Sequence, residues 1–185
     1  DHGWSESKKE ARAGATNQLG FPMPMTAQKF KDGEEIDWSW VFVQRKYNGH
    51  RCMITCKKGK NIAYSRGGIK IDSIKEILRD IKIPEGTVID GELYCHGKKL
   101  QEISALVEKR QKESKKLRFM CYDVVMDLDD VYRMRYINES VKFCERSEFV
   151  GTVDCRGKFD VRKIRHSYIC EGYEGAMLRI NNGVY

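Results

Sequence analysis

Lys46-Tyr47-Asn48-Gly49-His50-Arg51 stands between two stretches that alternate like strands. Trp38 to Lys46 carries Trp40, Phe42 and Gln44 on one face and Val41, Val43 and Arg45 on the other, because successive strand side chains point to opposite faces. Arg51 to Lys57 resumes the alternation with Cys52, Ile54 and Cys56. Asn48-Gly49 between them is a hairpin signal, since both residues tolerate the positive φ of a tight turn. The run therefore sets Lys46 at a strand end, beside a turn, on a rigid scaffold. A lysine so placed can act as a nucleophile rather than as a solvated charge, provided the rest of the chain supplies the groups it needs.

Working outward, Lys58-Gly59-Lys60 turns the chain again and Asn61 to Arg66 makes a third strand. Asp72 to Ile81 reads as a helix, with Ile74, Ile77, Leu78 and Ile81 at helical spacing and Asp72 or Ser73 as its cap. Thr87 to Cys95 is a strand on which Val88, Asp90, Glu92 and Tyr94 share a face. Two carboxylates among apolar residues are costly unless they meet a cation. Gln101 to Lys116 is predicted as a helix with a basic end, most simply a solvated face, with DNA-backbone contact as the sharper alternative. Leu117 to Met126 reads as a central, largely apolar strand, Val161 to Ile169 as a helix and Gly175 to Ile180 as a last strand. Phe21-Pro22-Met23-Pro24 is extended, because each proline drives its predecessor out of the helical region. Asp1 to Gly20 is polar and reads as a linker or weak helix. Strands outnumber helices and hairpins recur, which makes the class α+β with largely antiparallel sheets.

A chain of 185 residues suits one domain with a good-sized core. No stretch approaches a membrane span, and the opening residues lack the apolar run of a signal peptide. The chain starts at Asp1 without an initiator Met, and the expectation is a piece of something longer. Lys and Arg number 34 against 27 Asp and Glu, a formal net charge of +7, which agrees with a polyanionic partner or with a merely basic surface. The seven cysteines form no Cys-x-x-Cys pair. Cys52, Cys56, Cys95, Cys121 and Cys170 lie in apolar, strand-like stretches and read as reduced core residues rather than disulfides or a zinc site. His50, His96 and His166 show no ligand spacing.

Neither the phosphate loop Gly-x-x-x-x-Gly-Lys-Ser/Thr nor the dinucleotide fingerprint is present. Lysine attacks phosphorus only as the neutral amine, and an unperturbed lysine, with a pKa of about 10.4, is protonated at neutral pH. Cationic charge nearby favours loss of that proton, and phosphoryl transfer needs positive charge on the group in flight. The candidates are Arg51 and Arg66 on neighbouring strands, Asp90 and Glu92 on one strand face, and Tyr122 as an aromatic clamp for a base. Glu171-Gly172-Tyr173-Glu174-Gly175, just before the last strand, adds Glu171 and Glu174.

Lys46-Tyr47-Asn48-Gly49-His50-Arg51 resembles the Lys-x-Asp-Gly-x-Arg motif of the covalent nucleotidyltransferases, which include ATP-dependent DNA ligases, RNA ligases and mRNA capping enzymes. The other motifs follow in family order. Pro24-Met25-Thr26-Ala27 resembles the Pro-Met-Leu-Ala of DNA ligases, and Ser65-Arg66-Gly67-Gly68 their Ser-Arg-Asn-Gly. Asp90-Gly91-Glu92-Leu93 matches Asp-Gly-Glu. Phe119-Met120-Cys121-Tyr122-Asp123 resembles the segment whose aromatic stacks on adenine, and Glu174-Gly175-Ala176-Met177-Leu178-Arg179 the Glu-Gly-hydrophobic-Met-hydrophobic-Lys/Arg motif. The set spans Phe21 to Tyr185 and fits the DNA-ligase branch, in the compact form of small phage or bacterial enzymes.

The resemblance implies an ATP-grasp-like α+β adenylation domain over residues 21–185 after a tail over 1–20. It implies that Lys46 takes AMP from ATP with Mg2+ or Mn2+ and passes it to the 5′-phosphate of nicked double-stranded DNA, in DNA replication, repair and recombination. Gln44 would read the adenine edge, Arg51 and Arg66 would meet the ribose, the phosphates or the nick, and Tyr122 would stack on adenine. Glu92 would bind the ribose hydroxyls or metal, Glu174 would bind metal, and Arg179 would face the phosphates or pair with a carboxylate. The expected setting is a monomer in a bacterial or phage-infected host cytoplasm, away from membranes. Two departures stand out. Asn48 replaces the family aspartate beside the lysine, and the chain stops where the final lysine-bearing motif should begin, before the OB-fold domain that normally follows. An RNA ligase and a catalytically incomplete nucleotide- or DNA-binding module are the alternatives.

Overall fold

Two sheets divide the strands of this computed structural model, whose described residues are 24–27, 35–180 and 185. The smaller sheet has three strands in the order β8 (Thr152–Cys155), β1 (Val41–Lys46), β9 (Gly175–Ile180), all antiparallel. The larger runs β4 (Lys70–Ile71), β3 (Lys60–Ser65), β2 (His50–Lys57), β5 (Val88–Tyr94), β6 (Arg118–Val124), β7 (Ser147–Phe149). Only its β6–β7 pair is parallel. Helices α1 (Lys75–Asp80), α2 (Leu100–Glu108), α3 (Asp130–Ser140) and α4 (Lys158–Cys170) flank the sheets. The α+β class and the last strand agree with the sequence reading, whereas β6, expected to be central, is fifth of the six strands, between β5 and the short β7. The tail over Asp1 to Gly20 and the extended Phe21-Pro22-Met23 lie outside the described residues.

Each sheet has its own core. Cys52, Ile54, Ile89, Leu93, Phe119 and Cys121 pack beneath α1 and α2, whose Ile77, Ile103 and Leu106 close the cluster. Val41 and Val43 pack with Cys155 and with Val161, Ile164 and Tyr168 of α4. Tyr173 packs against both clusters and joins them. The cores are apolar strand faces removed from water, the dominant favourable term in folding.

The hairpin expected at Asn48-Gly49 does not form. β1 pairs with β8 and β9, whereas β2 pairs with β3 and β5, so the chain changes sheets between Lys46 and His50. Gly49 serves close approach instead: a Cβ there would stand 2.5 Å from the Leu93 carbonyl oxygen and 2.7 Å from Glu92 Cγ. Smaller differences have equally local causes. Trp38–Trp40 forms a 3-10 turn, capped by the Asp37 carboxylate accepting from Ser39 N–H at 2.9 Å. α1 begins only at Lys75, with neither Asp72 nor Ser73 capping it. The helix expected through Lys116 ends at Glu108, because Ser114 Oγ folds back to donate to the Leu106 carbonyl at 2.8 Å and Gln111 Nε2 reaches the Ala105 carbonyl. A separate 3-10 turn then covers Lys112–Lys116. α3, β7 and β8 went unread. The cysteines are free; Cys52, Cys56 and Cys121 are buried, but Cys170 is exposed at the end of α4.

Candidate active site

The β1–β9 ladder puts Lys46 opposite Gly175, and Glu174 N–H donates to the Lys46 carbonyl at 3.1 Å. That backbone contact brings the two side chains together, and Lys46 Nζ donates to Glu174 Oε1. Their flanking residues anchor them: Tyr47 meets Tyr173 edge-on at 5.4 Å and Tyr94 at 5.0 Å. Arg45, on the other face of β1, lies 5.1 Å over the Tyr173 ring and pairs at 3.2 Å with Glu171, an exposed charge at the C-terminal end of α4.

Across the gap, β2 and β5 align Arg51 with Glu92. Arg51 reaches sideways to Asp90, which is fully buried: Nε donates to Oδ1 at 3.1 Å and Nη2 to Oδ2. Nη1 donates to the Met25 carbonyl, tying the Pro24-Met25-Thr26-Ala27 segment to the site. The guanidinium sits 5.5 Å over the Tyr122 ring, a cation–π contact. Tyr122 Oη is 3.5 Å from Glu92 Oε2. Burial pushes the Glu92 carboxyl up to about 8, against the opposing pull of Arg51 and with further pushes from Asp90 and Glu174. Burial likewise raises the Tyr122 phenol. Glu174, just before β9, thus adds a small electrostatic push on Glu92 of β5 in the other sheet.

Gln44 and Arg179 lie deeper. Arg179 Nη1 donates to the Tyr122 carbonyl at 2.6 Å and to Gln44 Oε1 at 3.3 Å, while Nη2 meets Asp123 Oδ2 at 2.6 Å and Nε meets Asp130 Oδ2 at 2.8 Å. Of the two roles left open for Arg179, this structure has the carboxylate pairing. Gln44 is buried, and its Nε2 donates to the Val150 carbonyl at 3.2 Å, so both ends of its amide are engaged. Arg66 stands apart, exposed in the turn after β3; among the described residues no hydrogen bond or ion pair joins it to the others. Sequence reasoning missed Asp123, Asp130, Arg133 and Tyr185. Asp123 lies within the Phe119-Met120-Cys121-Tyr122-Asp123 segment, whereas Asp130 and Arg133 sit on α3, whose polar sequence gives no clear helical stripe.

Among the described residues no group of three or more His, Cys, Asp or Glu side chains could hold a metal by itself. Glu92 and Glu174 still fit a divalent cation that completes its shell with phosphate oxygens and water, the usual mode for Mg2+. Burial pushes the Glu92 carboxyl up to about 8 in spite of Arg51, and a bound cation would favour its ionised form.

The ATP dependent DNA ligase domain family model matches residues 24–185. The DNA ligase of African swine fever virus (isolate Warthog/Namibia/Wart80/1980) is 29% identical over 194 residues, covering 94% of this chain and 45% of that protein. The chain therefore spans about half the length of the curated relatives it matches. Among solved structures, a Lig E DNA ligase superposes with a TM-score of 0.67 at 19% identity, over 82% of this chain and 59% of that one. Chlorella virus DNA ligase-adenylate superposes with a TM-score of 0.60 at 19% identity, over 85% of this chain and 60% of that one. These structural likenesses speak for the fold. The family match over residues 24–185 agrees with the order of the motifs in the sequence, and the chain belongs to the ATP-dependent DNA ligase domain family.

Proposed function

We propose that residues 21–185 form the adenylation domain of an ATP-dependent DNA ligase that works with an OB-fold domain on nicked double-stranded DNA. The observation that carries the reading is Lys46 at the end of β1, paired with Glu174 before β9, while Glu174 in turn acts electrostatically on Glu92 of the other sheet, the strand partner of Arg51. Lys46 Nζ attacks the α-phosphate of ATP, the N–P bond forms as the P–O bond to pyrophosphate breaks, and a lysine–AMP phosphoramidate results. AMP then passes to the 5′-phosphate at a nick, and the 3′-hydroxyl displaces it. Two sheets meeting at one lysine favour such chemistry, because rigid elements fix the in-line approach.

Tyr122 offers its ring beside the base, and Arg51 places positive charge near the phosphates. Glu92 and Glu174 would hold a divalent cation, which when bound shields phosphate charge and orients the leaving group. Glu92 alternatively meets the ribose hydroxyls. Gln44 and Arg179 support the floor of the site through Val150, Asp123 and Asp130, and only a rearrangement of these contacts would let Gln44 read adenine. Arg66 reaches its partner only when DNA or nucleotide is present. No helix of the described residues is long and apolar enough to cross a membrane, and a cytoplasmic setting, in bacteria or in infected cells, suits the reading.

The test is incubation of the intact protein with labelled ATP or GTP and magnesium. Lysine-linked AMP that survives alkali, is released by acid and disappears in Lys46→Ala is the expected result. ATP binding without any adduct contradicts it, label from GTP alone points to capping chemistry, and sealing of nicked RNA but not DNA points to an RNA ligase.

A further inference from the structure

Tyr185 belongs to none of the motifs, yet its hydroxyl donates to Asp90 Oδ2 at 2.8 Å. Asp90 is fully buried, and a buried carboxylate is stable only when its oxygens are matched by donors. Here Arg51 Nε and Nη2 supply two and Tyr185 the third. Burial raises the Tyr185 phenol and the neighbouring Asp90 charge raises it further, so the group stays a protonated donor.

A guanidinium has five N–H donors. Nε and one N–H of Nη2 go to Asp90, and one N–H of Nη1 goes to the Met25 carbonyl. Among the described residues one N–H on each terminal nitrogen is left over, and a pair of N–H groups in a fixed plane is the geometry that meets a phosphate bidentately. The plane is fixed by the Asp90 carboxylate, and the carboxylate is fixed from its far side by Tyr185. The Tyr122 ring under the guanidinium prevents tilting.

We infer that Tyr185 is a positioning residue: through Asp90 it sets the plane of the Arg51 guanidinium and aims its remaining donors at a substrate phosphate. The inference rests on the proposed adenylation chemistry. Asp90 is thereby a brace for Arg51 and not a metal ligand, which separates the two carboxylates of the Asp90-Gly91-Glu92 motif by role.

The experiment is a double-mutant cycle in the intact protein, with lysine–AMP formation and nick sealing each measured at single turnover. Tyr185→Phe should slow by about 10-fold, the usual worth of a hydrogen bond to a charged group, the same step that Arg51→Lys slows. It should leave KM for ATP nearly unchanged and lower the thermal midpoint, because buried Asp90 loses one of its three donors. The double variant should be no slower than Arg51→Lys alone, since lysine cannot span both Asp90 oxygens and leaves Tyr185 nothing to aim. The Nε–H proton of Arg51, read by NMR, should exchange faster with solvent in Tyr185→Phe. Losses that multiply in the double variant, a slowing of the other step, or a Tyr185→Phe enzyme as fast as the parent each overturn the inference. Tyr185→Leu serves the same cycle if the phenylalanine variant does not fold. Parent protein that forms no lysine–AMP overturns the adenylation reading, and this inference falls with it. Parent protein that forms it with an inert Tyr185 overturns the inference alone.

Discussion

Lys46 and Glu174 meet with about two-fifths of each side chain open to water, 41% and 39%, through a single contact. One strand away, Arg179 and Arg133 share Asp123 and Asp130 in a network whose side chains are 1–10% exposed. Arg133 Nε donates to Asp123 Oδ1 at 2.8 Å, and Arg133 Nη2 also reaches Asp130. Both clusters pair opposite charges on the same layer, but water separates their energetics. An exposed pair is screened and contributes little, so its partners can exchange for substrate and metal. A buried network is desolvated and each member depends on the others, so it stays put and ties β6, α3 and β9 into a floor. On the proposed reading the chemistry sits on the loose cluster and the precision comes from the tight one.

The sharpest way to break this contrast is Asp123→Ala, which leaves two buried guanidinium groups short of a partner. It should cost about 3–5 kcal/mol of stability by denaturant titration, and a loss below 1 kcal/mol would mean that the network is not the floor. Next comes Gly49→Ala. Its methyl would press on the Leu93 carbonyl and the Glu92 side chain, so about 1–3 kcal/mol should be lost and β5 displaced. A neutral Gly49→Ala would show that glycine is there for a turn after all.

Glu92 sharpens the comparison from the electrostatic side. Its pKa is raised from the ordinary 4.5 to about 8 by burial, so across that window the folded protein holds a proton that the unfolded chain has released. Stability therefore falls as pH rises from 4.5 to 8. Glu92→Gln removes the effect: its melting temperature should exceed that of the parent at pH 8.5 and match it near pH 5. Equal differences at both pH values would remove the buried-carboxyl assignment. The smallest effect belongs to Lys46→Met, which should change stability by less than about 1 kcal/mol while abolishing adenylation. A large loss there would make Lys46 a structural residue.

The alternation of Val41, Val43 and of Cys52, Ile54, Cys56 is visible in the chain because burial of one strand face follows a period of two. Those strands, with Asp90, Glu92 and Tyr122 on theirs, were legible for that reason. Sheet membership was not. Asn48-Gly49 carries the local signature of a hairpin, but local preference does not register Leu93, forty-odd positions on, pressing against Gly49. The same limit hid the Asp90–Arg51 brace: the β2–β5 register sets Arg51 opposite Glu92, and the side chain reaches diagonally past it to Asp90. α3 escaped because its polar, charged sequence Asp130–Ser140 has only a weak apolar stripe, and its inward Arg133 and Asp130 are paired ions rather than hydrophobes. Asn48 remains the one departure from the motif at the site, and the exposed position it occupies leaves room for substrate on that side.

The central claim is that Lys46 forms a covalent bond to AMP, and peptide mapping of the intact protein after incubation with ATP and magnesium tests it most directly. The expected result is a single AMP-bearing peptide with the adduct on Lys46, absent from Lys46→Met protein that retains the parent's melting behaviour. An adduct on another residue, or none while ATP remains bound at the site, would contradict it.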